Sequence, residues 1–245
     1  MNLKKVKYII RSLLLSTIMP LNSAKVLALD TSSHSGSIAF LEGRDLRAEM
    51  RLNAIQTHST FLLSSIDFLA QKLGWQLNEL NLIAAGIGPG SFTGIRIGVA
   101  TALGIAQSLS IPFAGIPGLD ALAHQPLLPD GRFGVVLNAH RSQVFYAEYI
   151  SSKGRIRTVQ KSSLLLLSDL ERRLAHRHLY IVGDVEVRFP GADWPSPLPV
   201  DLFLATSIGR LALSRKKSWR SGRYLLADPL YIRPPDALRK KNQTN

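Results

Sequence analysis

The stretch GIGPGSFTGIRIGVATALG, residues 86–104, contains six glycines and a single charged side chain, that of Arg96. It follows the apolar run LNLIAA (residues 80–85), which predicts a buried strand leading straight into a helix. Three interpretations compete: a phosphate-binding turn, a membrane-spanning helix, or a helix built to be covered on more than one side.

The first two interpretations fit the residues poorly. A phosphate-binding P-loop needs a lysine after its last glycine, and residues 88–94 lack one; G-x-G-x-x-G is not matched either. Ser91 or Thr93 could still cap the helix, and free N–H groups there could hold an anion, so phosphate binding stays an alternative. Glycine, proline and Arg96 interrupt the run, which argues against a membrane span.

The third interpretation rests on a four-residue repeat of small side chains. Gly94, Gly98, Ala102 and Ala106 form one ridge along the predicted helix (residues 93–109), and such a ridge lets another helix approach closely. The other faces are apolar, so the helix must be covered all round. Its own sheet covers one side, and a neighbouring helix or a partner chain covers the other. Full burial within one chain stays open.

The preceding segment, residues 57–73, also predicts a helix. Leu62, Ile66, Leu69 and Leu73 recur at helical spacing, with Leu63 and Ala70 widening the stripe, and Phe61 and Phe68 form a second apolar patch. That patch either lies under a loop or meets a partner. The predicted interface residues are Phe61, Leu62, Ile66, Phe68 and Leu69 on this helix, with Gly94, Gly98, Ala102 and Ala106 on the next.

Acidic chemistry is sparse. Asp30 ends the first predicted strand and precedes Thr31 and Ser32, the place where an actin-like ATPase holds nucleotide phosphates and Mg²⁺. One carboxylate is a poor metal site, and Asp30 as a turn residue is the alternative. No two of the six histidines lie four residues apart, so no metal site and no cofactor are predicted. Asp30, Thr31 and Ser32 therefore read as a degenerate nucleotide loop.

The chain predicts two related halves. VLALDTSSHSGSIAF and VVLNAHRSQVFYAEY share a strand–turn–strand pattern, with Asp30 and Asn138 each ending the first strand. We expect an N-terminal half at residues 25–128 and a basic C-terminal half at residues 129–245. Residues 1–24 read as an added or mis-started extension outside the fold, with Met1 and Met19 as alternative starts.

Charge separates the halves. The chain carries a net charge of +13 and no cysteine; the C-terminal half holds most of the excess. An uneven positive charge attracts polyanions, RNA first, and the absence of cysteine is consistent with a reducing compartment such as the cytoplasm. The candidate RNA-contacting residues are Arg155, Arg157, Lys161, Arg215, Lys216, Lys217 and Arg220.

Three motifs together resemble the TsaB (YeaZ) family: VLALDTSS, GIGPGSFTGIRIGVATALGIA and DPLYIRPPDAL. The most specific is Gly88–Pro89–Gly90–Ser91–Phe92–Thr93–Gly94 with Arg96. The resemblance covers residues 25–238 and implies an α/β, actin/Hsp70-like (ASKHA) fold of two ribonuclease-H-like halves.

The resemblance also implies a function. Members are non-catalytic subunits that pair with the catalytic paralogue TsaD and, with the ATPase TsaE, form N6-threonylcarbamoyladenosine at position 37 of tRNAs reading ANN codons. Docking through the two N-terminal-half helices, or a homodimer when alone, is expected. Asn138 stands where the family usually has aspartate, which weakens the case for nucleotide binding. The alternative is an autonomous ATPase, kinase or glycoprotease-like enzyme.

Overall fold

The computed structural model describes residues 20–53, 58–125, 130–175, 179–187, 198, 200–215 and 219–220, with backbone only for 58–61 and 220. The described chain divides into two compact units. The first contains the residues up to Gly118 and those from Phe203 onward, and the second contains Leu119–Leu202.

The first unit is built on a six-stranded mixed sheet. Its strand order is β10-β5-β4-β1-β2-β3. β2 pairs antiparallel with both β1 and β3, and β4 and β5 run parallel to β1. The strands are β1 (Lys25–Asp30), β2 (Ser35–Glu42), β3 (Asp45–Asn53), β4 (Leu82–Gly86), β5 (Phe113–Ile116) and β10 (Trp219–Arg220).

Three helices cover the two faces of this sheet: α1 (His58–Leu73), α2 (Phe92–Leu109) and α5 (Ala205–Ser214). Leu27 and Leu29 of β1 share a core cluster with α1 and α2, whereas Ala28 lies beside Gly209 of α5. Because successive strand residues point to opposite faces, β1 is apolar from Val26 to Leu29 and is buried on both sides there.

The second unit repeats the first in reduced form. It holds α3 (Gly118–Ala123, beginning at the junction), β6 (Gly131–Asn138), β7 (Gln143–Ser152), β8 (Arg155–Leu166), α4 (Leu167–Leu174) and β9 (Tyr180–Gly183). The strand order β8-β7-β6-β9 matches β3-β2-β1-β4, including the parallel pair β6–β9. The predicted pair of related halves is confirmed, and the fold is the actin/Hsp70-like α/β fold.

Among the described residues, α2 is the one helix long and apolar enough to cross a membrane. It has 18 residues and a mean hydropathy of 1.2. Its buried residues Gly94, Ile95, Gly98, Val99, Ala102 and Ala106 pack within the first unit. One side of α2 is thus covered by its own unit while another side is exposed, so the helix is not fully buried within the described chain, an alternative that the sequence left open.

Four details differ from the sequence expectations. Ala24, assigned to the extension, is fully buried and accepts a hydrogen bond from Gly43 N, so it belongs to the fold. Residues 203–215, assigned to the C-terminal half, belong to the first unit because α5 packs on its sheet. Ser168 and Glu171 have the sequence spacing of a capping box, which would start α4 after Ser168, but none forms because α4 already begins at Leu167. Leu63, predicted to widen the buried stripe of α1, is 60% exposed. Residues 1–19 and 221–245 lie outside the described chain.

Candidate partner-docking site

The loop that follows β1 is fastened to the start of α2 by short hydrogen bonds. Thr31 Oγ1 donates to the carbonyl of Gly94 at 2.7 Å, and the amide of Ser91 donates to the carbonyl of Ser32 at 2.7 Å. Ser91 also caps α2, since its hydroxyl accepts from Gly94 N at 3.2 Å. The cap is therefore Ser91, one of the two residues the sequence left open.

Glycines make this contact sterically feasible. A Cβ atom added at Gly90, Gly94 or Gly98 would lie closer than 3.0 Å to the main chain of Ser32, the main chain of Thr31 or the Thr31 hydroxyl, respectively. No side chain fits at such distances. The Gly88–Gly94 motif thus lets a strand-end loop and a helix meet backbone to backbone, with the Gly88 carbonyl accepting from Gly118 N at 2.8 Å.

Phosphate binding at this turn has little room. The carbonyl groups of Thr31 and Ser32 occupy the approach to the glycines, and the Ser91 amide already has an acceptor. Arg96, the one cation of the motif, lies over the ring of Phe92 with its guanidinium carbon 3.7 Å from the ring centroid.

Asp30 lies beneath the same loop and is 1% exposed. Its Oδ1 accepts from the amide of Ser32 at 3.2 Å, and its Oδ2 has no hydrogen-bond partner. Burial raises the pKa of Asp30 from 3.8 to about 6, against the lowering effect of the hydrogen bonds from Ser32 and Thr31. In the described part of the chain, Asp30 included, no three His, Cys, Asp or Glu side chains group as metal ligands would.

The equivalent corner of the second unit uses an acidic residue that the sequence pattern did not single out. Asp184 follows β9, and its Oδ1 accepts from the amide of Asn138 at 2.8 Å. Desolvation raises the pKa of Asp184, with the hydrogen bond from Asn138 opposing it. The sequence could have pointed to Asp184 because this residue directly follows the strand β9. That strand pairs parallel to β6, so Asp184 lies at the sheet edge where β6 ends with Asn138.

Helix α1 exposes two large apolar side chains, which lie about 140° apart around the helix, at opposite margins of its outward side. Phe68 is 50% exposed and Leu63 is 60% exposed, while Leu62, Ile66 and Leu69 are buried in the unit's own core. The sequence left Phe68 either under a loop or against a partner, and in the structure it is half exposed. The side chain of Phe61 lies outside the described residues.

The outward side of α2 presents short side chains beside two long polar ones, those of Arg96 and Gln107, which are also exposed. Thr93, Ala100, Gly104 and Ser108 are exposed and recur at helical spacing, with Ile97 half-buried among them. Nothing lies within 4 Å of a Cβ atom built on Gly104. We call this set, together with Leu63 and Phe68, the docking face.

The docking face is not the ridge that the sequence predicted. Gly94, Gly98, Ala102 and Ala106 form a ridge, but they are buried, with Gly94 and Gly98 pressed on the loop at Thr31. The ridge is closed to a partner helix, because its neighbour is the chain's own strand-end loop. Leu62, Ile66 and Leu69 leave the predicted interface for the same reason: they fill the core under α1.

Comparison with known proteins places this fold in a family. A family model described as "TsaD: tRNA N6-adenosine threonylcarbamoyltransferase" matches residues 52–192. The TsaB protein of Buchnera aphidicola subsp. Schizaphis graminum, described as a tRNA threonylcarbamoyladenosine biosynthesis protein, is 30% identical over 164 residues, covering 65% of this chain and 78% of that protein. The chain belongs to the TsaB family. It also carries the domain that the TsaD model describes.

Other TsaB relatives match over a smaller share. Those of Bacillus subtilis and Escherichia coli are each 31% identical, over 144 and 127 residues. These matches cover 59% and 51% of this chain, and 63% and 54% of the two relatives. The solved structure of YeaZ from Pseudomonas aeruginosa has the same fold, with a TM-score of 0.69, 23% identity, and coverage of 85% of this chain and 99% of that one.

Proposed function

We propose that this chain is a non-catalytic subunit of the complex that forms N6-threonylcarbamoyladenosine at position 37 of tRNAs reading ANN codons. It acts by pairing with TsaD and activating it. Membership of the TsaB family supports the pathway, since the named relatives are tRNA threonylcarbamoyladenosine biosynthesis proteins.

The docking face is the observation that carries the pairing. Phe68 and Leu63 expose large apolar side chains on a structured helix, where burial against a partner is favourable by roughly 25 cal/mol per Å² of apolar surface. Ala100 and Gly104 on α2 have the small-xxx-small spacing that allows a helix backbone to come close. A partner that presents two helices of the same type would form a helical bundle with α1 and α2.

The geometry of the loop after β1 favours a supporting role over an autonomous ATPase, kinase or glycoprotease-like activity. In the first unit, the carbonyl groups of Thr31 and Ser32 face the glycine turn, and carbonyl oxygens repel phosphate. At the matching position of the second unit stands the uncharged Asn138, whose Oδ1 accepts from the amide of His140 at 2.7 Å. Asp30, Thr31 and Ser32 thus serve packing in our proposal, and no cofactor is assigned.

The remaining partners follow from the family. TsaE, the ATPase, and tRNA are the other components we assign to the complex, and a homodimer through the same docking face is the arrangement we expect when TsaD is absent. A tRNA-modifying complex works in the cytoplasm, so we place the chain there.

The experiment is a direct mixing of purified chain with purified TsaD at micromolar concentration, followed by size-exclusion chromatography with light scattering. Our proposal predicts a complex whose mass exceeds that of either component, and TsaD-dependent threonylcarbamoyl transfer to tRNA that rises when the chain is added. Separate elution with no change in transfer would overturn it. ATP hydrolysis by the chain alone that Asp30→Ala abolishes would favour the autonomous enzyme.

A further inference from the structure

The edge strand of the second unit has an uneven charge. From the turn before β8 to the end of that strand, residues 153–166, the sequence holds four cations and no carboxylate. Lys153, Arg155, Arg157 and Lys161 are all exposed. Within the part of the chain that the structure describes, their side chains enter no ion pair or hydrogen bond with another side chain.

The duplicated fold supplies its own comparison, because β3 occupies the equivalent edge of the first unit. β3 has two arginines and two carboxylates, and its cations are paired: Arg47 with Glu42 at 3.6 Å, and Arg51 with Glu49. Charged side chains on an edge strand discourage edge-to-edge aggregation, and paired charges of both signs serve that purpose on β3. Charges of either sign protect an edge, so edge protection does not explain why those of β8 are all positive.

The geometry of β8 places Arg155 and Arg157 on one face of the strand and Lys161 in a bulge farther along it. Arg155 and Arg157 are two positions apart, so they lie on one face about 6.7 Å apart along the strand. The pairing with β7 shifts register twice, between Tyr146 and Glu148 and between Glu148 and Tyr149. Each shift places an extra residue on β8, at Val159 and at residues 161–162, and such bulges re-aim side chains and twist the edge away from another strand.

Chemistry distinguishes between the polyanions that could bind these cations. A spacing of two strand residues is similar to the separation of successive phosphates along a nucleotide chain. Guanidinium groups bind phosphate oxygens in pairs, and counterion release makes each contact favourable at low salt. The bulged strand edge is a poor template for adding the extended strand of an acidic peptide.

We propose that the β8 edge, formed by Lys153, Arg155, Arg157 and Lys161, binds the sugar–phosphate backbone of RNA. The contact positions the RNA without reading its sequence. This inference goes beyond the proposed function, which supplies only the choice of tRNA as the probe. It concerns a surface distinct from the docking face, so each can fail without the other.

The test measures binding of fluorescently labelled tRNA to the full chain by anisotropy at a series of salt concentrations. The variant Arg155→Gln/Arg157→Gln/Lys161→Gln removes three charges from the edge. The matched control Arg44→Gln/Arg47→Gln/Arg172→Gln removes three exposed charges elsewhere. We expect the edge variant to bind roughly 10-fold more weakly or worse, with a salt slope shallower by about 2 to 3, and the control to stay near the parent.

Three results would overturn the proposal: no binding of tRNA by the parent at low salt, equal weakening in the edge variant and the control, or displacement of tRNA by poly-glutamate as effective as displacement by unlabelled RNA. The third would assign the edge to acidic polypeptides. Arg155→Lys/Arg157→Lys keeps the charge and is expected to retain binding. Pairing of the edge variant with TsaD, measured in parallel, separates this question from the proposed function.

Discussion

The hydroxyl of Thr31 occupies the place where a side chain on Gly98 would begin. A Cβ atom built on Gly98 lies closer than 3.0 Å to Thr31 Oγ1, and that same hydroxyl donates to the carbonyl of Gly94 at 2.7 Å. The end of β1 and the first turns of α2 are thus joined at backbone distance. The glycine-rich motif therefore serves the packing of α2 on the loop after β1. The opposite side of α2 remains exposed and is where we propose that a partner binds.

Two glycines of α2 are predicted to respond oppositely to alanine. Gly98→Ala forces the loop at Thr31 to move, which costs about 1 to 3 kcal/mol of unfolding free energy, as overpacked cores do. Gly104→Ala meets no atom within 4 Å and gains up to about 1 kcal/mol from helix propensity. Urea denaturation of the two variants measures both. Changes of the same sign would contradict the orientation of α2 described here.

The hydrogen bond from Thr31 is predicted to stabilise the loop measurably. Thr31→Val keeps the volume but loses the donor to Gly94, and we expect a loss of about 1 kcal/mol. Thr31→Ser keeps the hydroxyl and serves as the control, with a smaller loss from the missing methyl group. Thermal unfolding gives the comparison, and a Val variant as stable as the parent would show that the bond contributes nothing.

Asp30 is predicted to make stability depend on pH. Its pKa rises from 3.8 to about 6 on folding, so the folded state binds more protons than the unfolded state in that interval. The contribution of Asp30 is therefore full below pH 3.8, is lost as pH rises through about 6, and is constant above. The difference amounts to on the order of 3 kcal/mol.

The control for that prediction is Asp30→Asn, which cannot ionise. Urea unfolding between pH 4.5 and pH 8, about the range over which the folded carboxyl titrates, gives the free energy of each protein. The parent should lose stability relative to the Asn variant as pH rises, because burial disfavours the carboxylate. A difference between the two that stays constant over this range would contradict a raised pKa.

Much of the fold could be predicted from the sequence because strands and helices left clear periods. β1 is apolar at every position but its ends, and α2 follows its strand after a Ser-capped turn. The duplication was visible where Asp30 and Asn138 end equivalent strands. α5 was harder to place: its sequence predicts a helix, but nothing local states that it packs on β1, β2 and β4 far earlier in the chain.

The docking face illustrates why a pattern of small residues leaves the direction of a helix open. Gly94 and Gly98 recur every four residues, and so do Ala100, Gly104 and Ser108 on the other side. Both sets allow close approach. The tie is decided by Thr31, 63 residues before Gly94, whose hydroxyl and carbonyl lie against the first set. Such a long-range contact has no local signature in the sequence.

The central claim is that the outward faces of α1 and α2 pair with TsaD. Gly104→Leu fills the open position on α2, and Phe68→Ser removes the exposed ring on α1. Gly104→Ala is the matched small substitution, and Thr158→Leu places the same apolar side chain at an exposed site of the second unit.

Titration calorimetry of these variants against TsaD tests that claim most directly. The account predicts that Gly104→Leu and Phe68→Ser each weaken binding at least about 10-fold, equivalent to 1.4 kcal/mol, while Gly104→Ala and Thr158→Leu bind like the parent. Unchanged affinity for Gly104→Leu and Phe68→Ser, in proteins as stable as the parent, would contradict it.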